Sequence, residues 1–105
     1  MHILFTRPLE DSKEIISRFQ NLGHKVSHLP VLNIIEKKYE KINFSNYSAI
    51  IFTSVNSIKY LKSNDIDKNI ICFCVGEATE RKASSFGFQN IFSAEGNVHN
   101  LKEII

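Results

Sequence analysis

The sequence predicts an α/β protein, a parallel sheet of about five strands with helices on both faces. Short β-branched apolar runs such as Ala49-Ile50-Ile51-Phe52 alternate with amphipathic stretches. Each run is followed by a polar turn and a helical pattern, and repeated βα units of this kind pair their strands in parallel with right-handed crossovers. The run Ala49 to Phe52 is also continuous rather than alternating, which suits a strand buried on both faces.

Ile3 to Thr6 is the first expected strand, bounded by Pro8. Asp11, followed three residues later by Glu14, matches a capping box, and Ile15, Ile16, Phe19 and Leu22 fall at helical spacing. Gly23 stands where a left-handed residue closes a helix. Lys25 to Leu29 is the second strand, ended by Pro30, and Val31 to Glu36 is either a further strand or an extended connector. Lys37 to Ser48 is polar and turn-rich. After the strand at Ala49 to Phe52, a helix beginning at Thr53 to Asn56 carries Val55, Ile58 and Leu61 inward. Asn69 to Val75 repeats the buried-strand pattern, Gly76 turns into a helix ending at Phe86 and Gly87, and Asn90 to Ser93 is a weaker strand. Gly96 and Asn97 lead into a last helix reaching Ile105. Five strands in this order fit a flavodoxin-like 2-1-3-4-5 sheet. All five are expected in one sheet, because burying Ile15, Ile16 and Phe19 is worth roughly 5–8 kcal/mol, comparable with the net stability of a domain.

The 105 residues predict one domain, with 43% apolar and 23% charged residues, a soluble globular composition. No apolar run approaches the ~20 residues that span a bilayer, and the N-terminus lacks the basic and long apolar regions of a secretory signal, so no membrane role and a cytoplasmic location are expected. Thirteen basic against eleven acidic residues leave a charge of +2, too small to argue for nucleic acid. Cys72 and Cys74 are two apart on a strand, at roughly 6.5 Å, near the limit for a bridge, and read as buried thiols. His24 and His28 have the spacing a metal-binding helix uses, but they flank Val26 in a strand. They are set aside as surface residues with His2 and His99, and no metal site is assigned.

Ligands of open parallel sheets gather at the carboxyl ends of the strands. The turns there are Thr6-Arg7-Pro8, Thr53-Ser54-Val55-Asn56, Gly76-Glu77-Ala78-Thr79 and Gly96-Asn97. Hydroxyl and amide side chains at helix starts, with unpaired N–H groups and one guanidinium, suit carboxylate or phosphate. The plainer alternative makes Thr53, Ser54, Thr79 and Asn97 helix caps and Arg7 the partner of Glu10 or Asp11 in a surface ion pair. Glycine-rich dinucleotide and P-loop signatures do not occur. A phosphoacceptor receiver domain would want acidic residues where Arg7 and Thr53 stand, and a flavodoxin would want a hydroxyl-rich loop where Pro8-Leu9-Glu10 stands.

Thr6-Arg7-Pro8, the Gly23 turn, Leu29-Pro30-Val31, Ile51-Phe52-Thr53-Ser54-Val55-Asn56-Ser57 and Val75-Gly76-Glu77-Ala78-Thr79, in this order and spacing, resemble the N-terminal half of uroporphyrinogen-III synthases. Members of that family are longer, with two α/β lobes facing across a cleft and the chain passing between them. The resemblance implies a truncated arrangement in which 1–30 is the first-lobe βαβ unit, 31–48 a connector and 49–105 the second-lobe βα units. It implies a lyase of haem and porphyrin biosynthesis that closes the tetrapyrrole hydroxymethylbilane to uroporphyrinogen III, without a cofactor and with loss of water. The hydroxyl leaves ring A to give an azafulvene, ring D attacks to form a spiro intermediate, and reopening inverts ring D before closure. The protein's part is orientation of a polycarboxylate by N–H groups and hydroxyls. Arg7, Thr53, Ser54, Asn56, Gly76 and Thr79 are the matched substrate-binding positions. No catalytic residue is assigned, since Tyr39, Tyr47 and Tyr60 do not match the tyrosine that the family uses.

A different class of reading is a non-catalytic anion-binding or interaction module of the same fold, or an inactive remnant. The last helix stops at Glu103-Ile104-Ile105 without a glycine or asparagine cap. A frayed or partner-covered terminus is therefore expected, with self-association through it and at most half of a cleft.

Overall fold

A computed structural model describes residues 1–62 and 66–105. The elements are β1 (His2–Phe5), α1 (Leu9–Asn21), β2 (Lys25–His28), a 3-10 turn at Phe44–Asn46, β3 (Ala49–Phe52), α2 (Val55–Lys59), β4 (Ile71–Val75), α3 (Glu77–Phe86), β5 (Asn90–Ala94) and α4 (Val98–Ile104). All described strand pairs are parallel, as expected of βα units. They form two sheets, β1-β2 and β3-β4-β5, rather than the single five-stranded sheet the sequence led us to expect. The chain correspondingly divides into two compact units, Met1–Lys37 and Lys38–Ile105.

In the first unit, α1 starts three residues earlier than the capping-box reading placed it. Pro8 is the N-cap, its φ of −51° leads into the helix, and its own side chain makes no cap hydrogen bond. Asp11 therefore lies inside that turn, where it and Glu10 favour the positive end of the helix dipole. The C-terminus is as expected: Gly23 N–H donates to the Gln20 carbonyl at 3.0 Å and His24 N–H to the Phe19 carbonyl at 3.0 Å. Ile16 and Phe19 are half-buried, Phe19 lying 5.9 Å from the Phe5 ring, but Ile15 remains 45% exposed. The apolar stripe is thus covered only in part. Val31 to Glu36 forms no strand.

In the second unit, one face of the sheet holds the core. Register sets Ile50 beside Cys72 and Ile91, and Phe52 beside Cys74, on the same face. Ile58 of α2 and Ala83 of α3 close over them, both fully buried, with Phe88 in the same cluster. Gly87, at φ 114°, ends α3: its N–H donates to Ala83 and Ser84, and Phe88 N–H reaches back to Ala83. That left-handed conformation is open to glycine and turns Phe88 inward against Phe52 and Phe86, ring centroids 5.6 and 5.4 Å away. β4 begins at Ile71, later than Asn69, because Asp67 Oδ1 accepts the Asn69 N–H in a turn.

The opposite face carries Ala94, buried at the end where α4 packs on β5 and β4 with Leu101. Helices therefore lie on both faces, as the sequence predicted. Coverage of this second face is incomplete: Ile51, Phe73 and Phe92 align across the three strands, and Ile51 and Phe92 are each 50% exposed. β3 is buried on one face, not two. α4 is formed as far as Ile104, and Ile105 is exposed.

Candidate functional site

The carboxyl edge of the first unit is the turn Thr6-Arg7-Pro8. The parallel ladder runs past the ends of β1 and β2: Leu29 N–H donates to the Phe5 carbonyl at 2.8 Å and Val31 N–H to the Thr6 carbonyl at 3.0 Å. His28, in register with Phe5, sends Nε2 to the Arg7 carbonyl at 2.6 Å. A carbonyl only accepts, so Nε2 carries the proton. Arg7 keeps its side chain 69% exposed, with a guanidinium nitrogen 4.0 Å from Asp11 Oδ2. An exposed pair at that distance contributes at most about 1 kcal/mol. The surface ion pair with Asp11 is thus present but loose.

The carboxyl edge of the second unit is set by the ends of β3, β4 and β5. Thr53 follows β3 and is exposed. Ser54 is the N-cap of α2, its Oγ accepting the Asn56 N–H at 3.2 Å. The cap reading is correct for Ser54, although a hydroxyl that accepts one bond still has its own O–H to donate. Asn56 is half-buried in the first turn of α2. Gly76 is the N-cap of α3, at φ 88° and ψ 151°, and its N–H is committed to the Ala94 carbonyl at 3.0 Å. Thr79, third in α3, is 4% exposed, so its hydroxyl faces the interior. Asn97 caps α4, accepting from the His99 and Asn100 N–H groups. Glu77 and Glu80 occupy the first turn of α3, Glu77 tied to Arg81 at 3.0 Å, and Glu95 follows β5. Among the turn residues of this edge there is no lysine or arginine. Any anion held there relies on N–H dipoles and hydroxyls against neighbouring carboxylates, whereas Arg7 supplies a cation in the other unit.

The two thiols are buried as the sequence predicted, with Sγ atoms 3.7 Å apart and unbridged. Burial pushes Cys72 up from 9.0 to about 12, helped by Cys74 beside it. Burial raises Cys74 as well; the Cys72 hydrogen bond opposes the shift and the Glu80 carboxylate adds to it. Thiolate is the reactive form, so neither acts as a nucleophile at neutral pH. A thiol reagent at pH 8 should therefore modify both only as fast as the core opens. The sign of the pH dependence follows. Below 9.0 folded and unfolded chains both hold these protons. Above it the unfolded chain releases them while folded Cys72 does not, so stability falls between pH 9.0 and about 12. Denaturant unfolding across this range, in wild type and in Cys72→Ala/Cys74→Ala, should show a shallower alkaline decline in the double variant.

A surface hollow of about 370 Å³ lies at the other edge of the second unit, lined by Phe44, Ser48, Asp67 and Asn69 among others. It sits by the amino ends of β3 and β4, away from the turns where open parallel sheets bind ligands.

Of the six matched positions, Arg7 stands at the edge of the first unit. Thr53, Ser54, Asn56, Gly76 and Thr79 share the edge of the second, with Thr79 turned inward. Sequence reasoning passed over His28 as a surface histidine. Its place beside Arg7 is fixed by strand register, which spacing within one segment does not reveal.

No curated protein matches the chain closely enough to count as a relative. The family described as uroporphyrinogen-III synthase HemD matches residues 13–105. That stretch contains the βα units and the turns at their carboxyl ends from Gly23 onward, so the chain belongs to the uroporphyrinogen-III synthase HemD family.

Proposed function

We propose that this chain binds a polycarboxylate tetrapyrrole and serves the cofactor-free closure of hydroxymethylbilane to uroporphyrinogen III, with inversion of ring D and loss of water. Family membership over residues 13–105 is the observation that carries this reading. In it, residues 1–30 belong to one lobe of the synthase, 31–48 connect, and 49–105 belong to the other. Arg7 meets a substrate carboxylate as a cation, Thr53 and Ser54 offer hydroxyls, Asn56 an amide, and Gly76 and Thr79 shape the start of α3. Their work is orientation: holding acetate and propionate side chains so that the reacting carbons approach correctly is worth several orders of magnitude in rate without any proton-transferring group.

Two measurements test it. Chain incubated with enzymatically generated hydroxymethylbilane should yield type III product above the spontaneous background, which is type I. Uroporphyrinogen III should bind weakly and more weakly as salt rises, because exposed charge contacts are screened within about 10 Å at 0.1 M. Type I product alone, together with salt-sensitive binding, would leave the non-catalytic anion-binding module as the function. Absence of binding at low salt would overturn both.

A further inference from the structure

Three successive carbonyls at the first-unit edge are taken by the residues that leave β2. Phe5 and Thr6 accept backbone N–H groups from Leu29 and Val31, and at Arg7 an imidazole replaces the backbone donor, 2.6 Å from the oxygen. We propose that His28 is a positioning residue for Arg7: by donating Nε2–H to the Arg7 carbonyl it fixes the backbone from which the guanidinium meets a tetrapyrrole carboxylate.

This role rests on the reading of Arg7 given above, and three observations support it. The ion pair of the Arg7 side chain with Asp11 is loose, at 4.0 Å, so its position depends on where its backbone is held. The residue after Arg7 is Pro8, which lacks an N–H and cannot join the ladder, so the turn needs a side-chain donor to stay attached to the strand. His28 is half-buried and in register with Phe5, which directs a ring across the strand pair rather than into solvent. Ordering a long side chain on a mobile turn adds backbone entropy to the cost of binding, and a pinned turn removes that part.

The test is a double-mutant cycle on the full chain, with uroporphyrinogen III kept reduced and titrated at low salt. His28→Ala should weaken binding ~3- to 10-fold, the range of a modest coupling between contacting residues. It should cost nothing further once Arg7→Ala is present. His28→Gln, whose amide N–H can reach the same carbonyl, should restore affinity to within about twofold. In ligand-free protein, ¹⁵N relaxation of residues 6–9 should show added mobility in His28→Ala and none in His28→Gln. If His28→Ala fails to fold, His28→Met against His28→Gln gives the same contrast between a side chain without and with the donor. Equal losses in the wild-type and Arg7→Ala backgrounds, or no rescue by Gln in a folded protein, overturn the positioning role alone. If Arg7→Ala binds as wild type does, the reading of Arg7 as a substrate contact falls, and the role of His28 with it.

Discussion

Phe88→Ala is expected to lower the stability of the protein by about 3–5 kcal/mol, the usual cost of emptying an aromatic site in a core. Phe88 is 4% exposed, and its ring lies against both Phe52 of β3 and Phe86 at the end of α3. Neither neighbour is free to collapse into the space, because Phe52 is held by strand pairing to β4 and Phe86 by the glycine-capped end of its helix. Domains of ordinary stability hold about 5–15 kcal/mol, so the loss takes a large share of the total and brings the variant to its midpoint at the low end of that range. Urea unfolding followed by far-ultraviolet circular dichroism reads this directly; the chain has no tryptophan to report by fluorescence. Phe92→Ala is the comparison. That side chain is half-exposed and meets Phe73 at 5.8 Å, a contact worth about 1 kcal/mol. A loss at Phe88 no larger than that at Phe92 would refute the assignment of the core to the β3-β4-β5 face that α2 and α3 cover.

Gly76→Ala should cost about 1–3 kcal/mol through the backbone alone. A φ of 88° with ψ 151° is a conformation essentially reserved for glycine, and a Cβ built there meets no atom within 4 Å. Strain and crowding, usually entangled in such substitutions, are here separable. The variant has two routes: keep the conformation and bear the strain, or rotate out of it and lose the Gly76 N–H bond to Ala94, which ties the β4 exit to β5. Either route lowers the urea midpoint, and loss of amide-exchange protection at Gly76 marks the second. Under the proposed function, binding of uroporphyrinogen III should weaken as well, since the start of α3 shifts. An unchanged midpoint would mean that the chain does not adopt this conformation in solution.

Local pattern revealed the elements well wherever burial and periodicity agree. β3 is the run Ala49–Phe52 that hydrophobicity marked, and the ends of α1 and α3 were announced by Gly23 and Gly87, because a left-handed residue after an apolar stripe has few other uses. What sequence did not disclose is partnership. Strand periodicity says which faces are apolar but not which neighbour an edge will take, so two sheets looked like one. The same gap made Ile51 look buried on a strand whose second face is open, and made His28 look idle when register puts it on Arg7. The start of α1 was misplaced for a different reason. Two signals competed, and Pro8, whose ring fixes φ, prevailed over Asp11 and Glu14, whose side chains only add a hydrogen bond.

The row Ile51, Phe73 and Phe92 has a practical consequence at the bench. Aligned, half-exposed aromatic and aliphatic side chains across a sheet offer the kind of apolar surface that hydrophobic reporter dyes such as anilinonaphthalene sulfonate take up. The native protein should therefore fluoresce with such a dye before any heating. A melting curve recorded this way begins from a high baseline and understates the transition, and brightness cannot serve as a sign of misfolded material in a preparation.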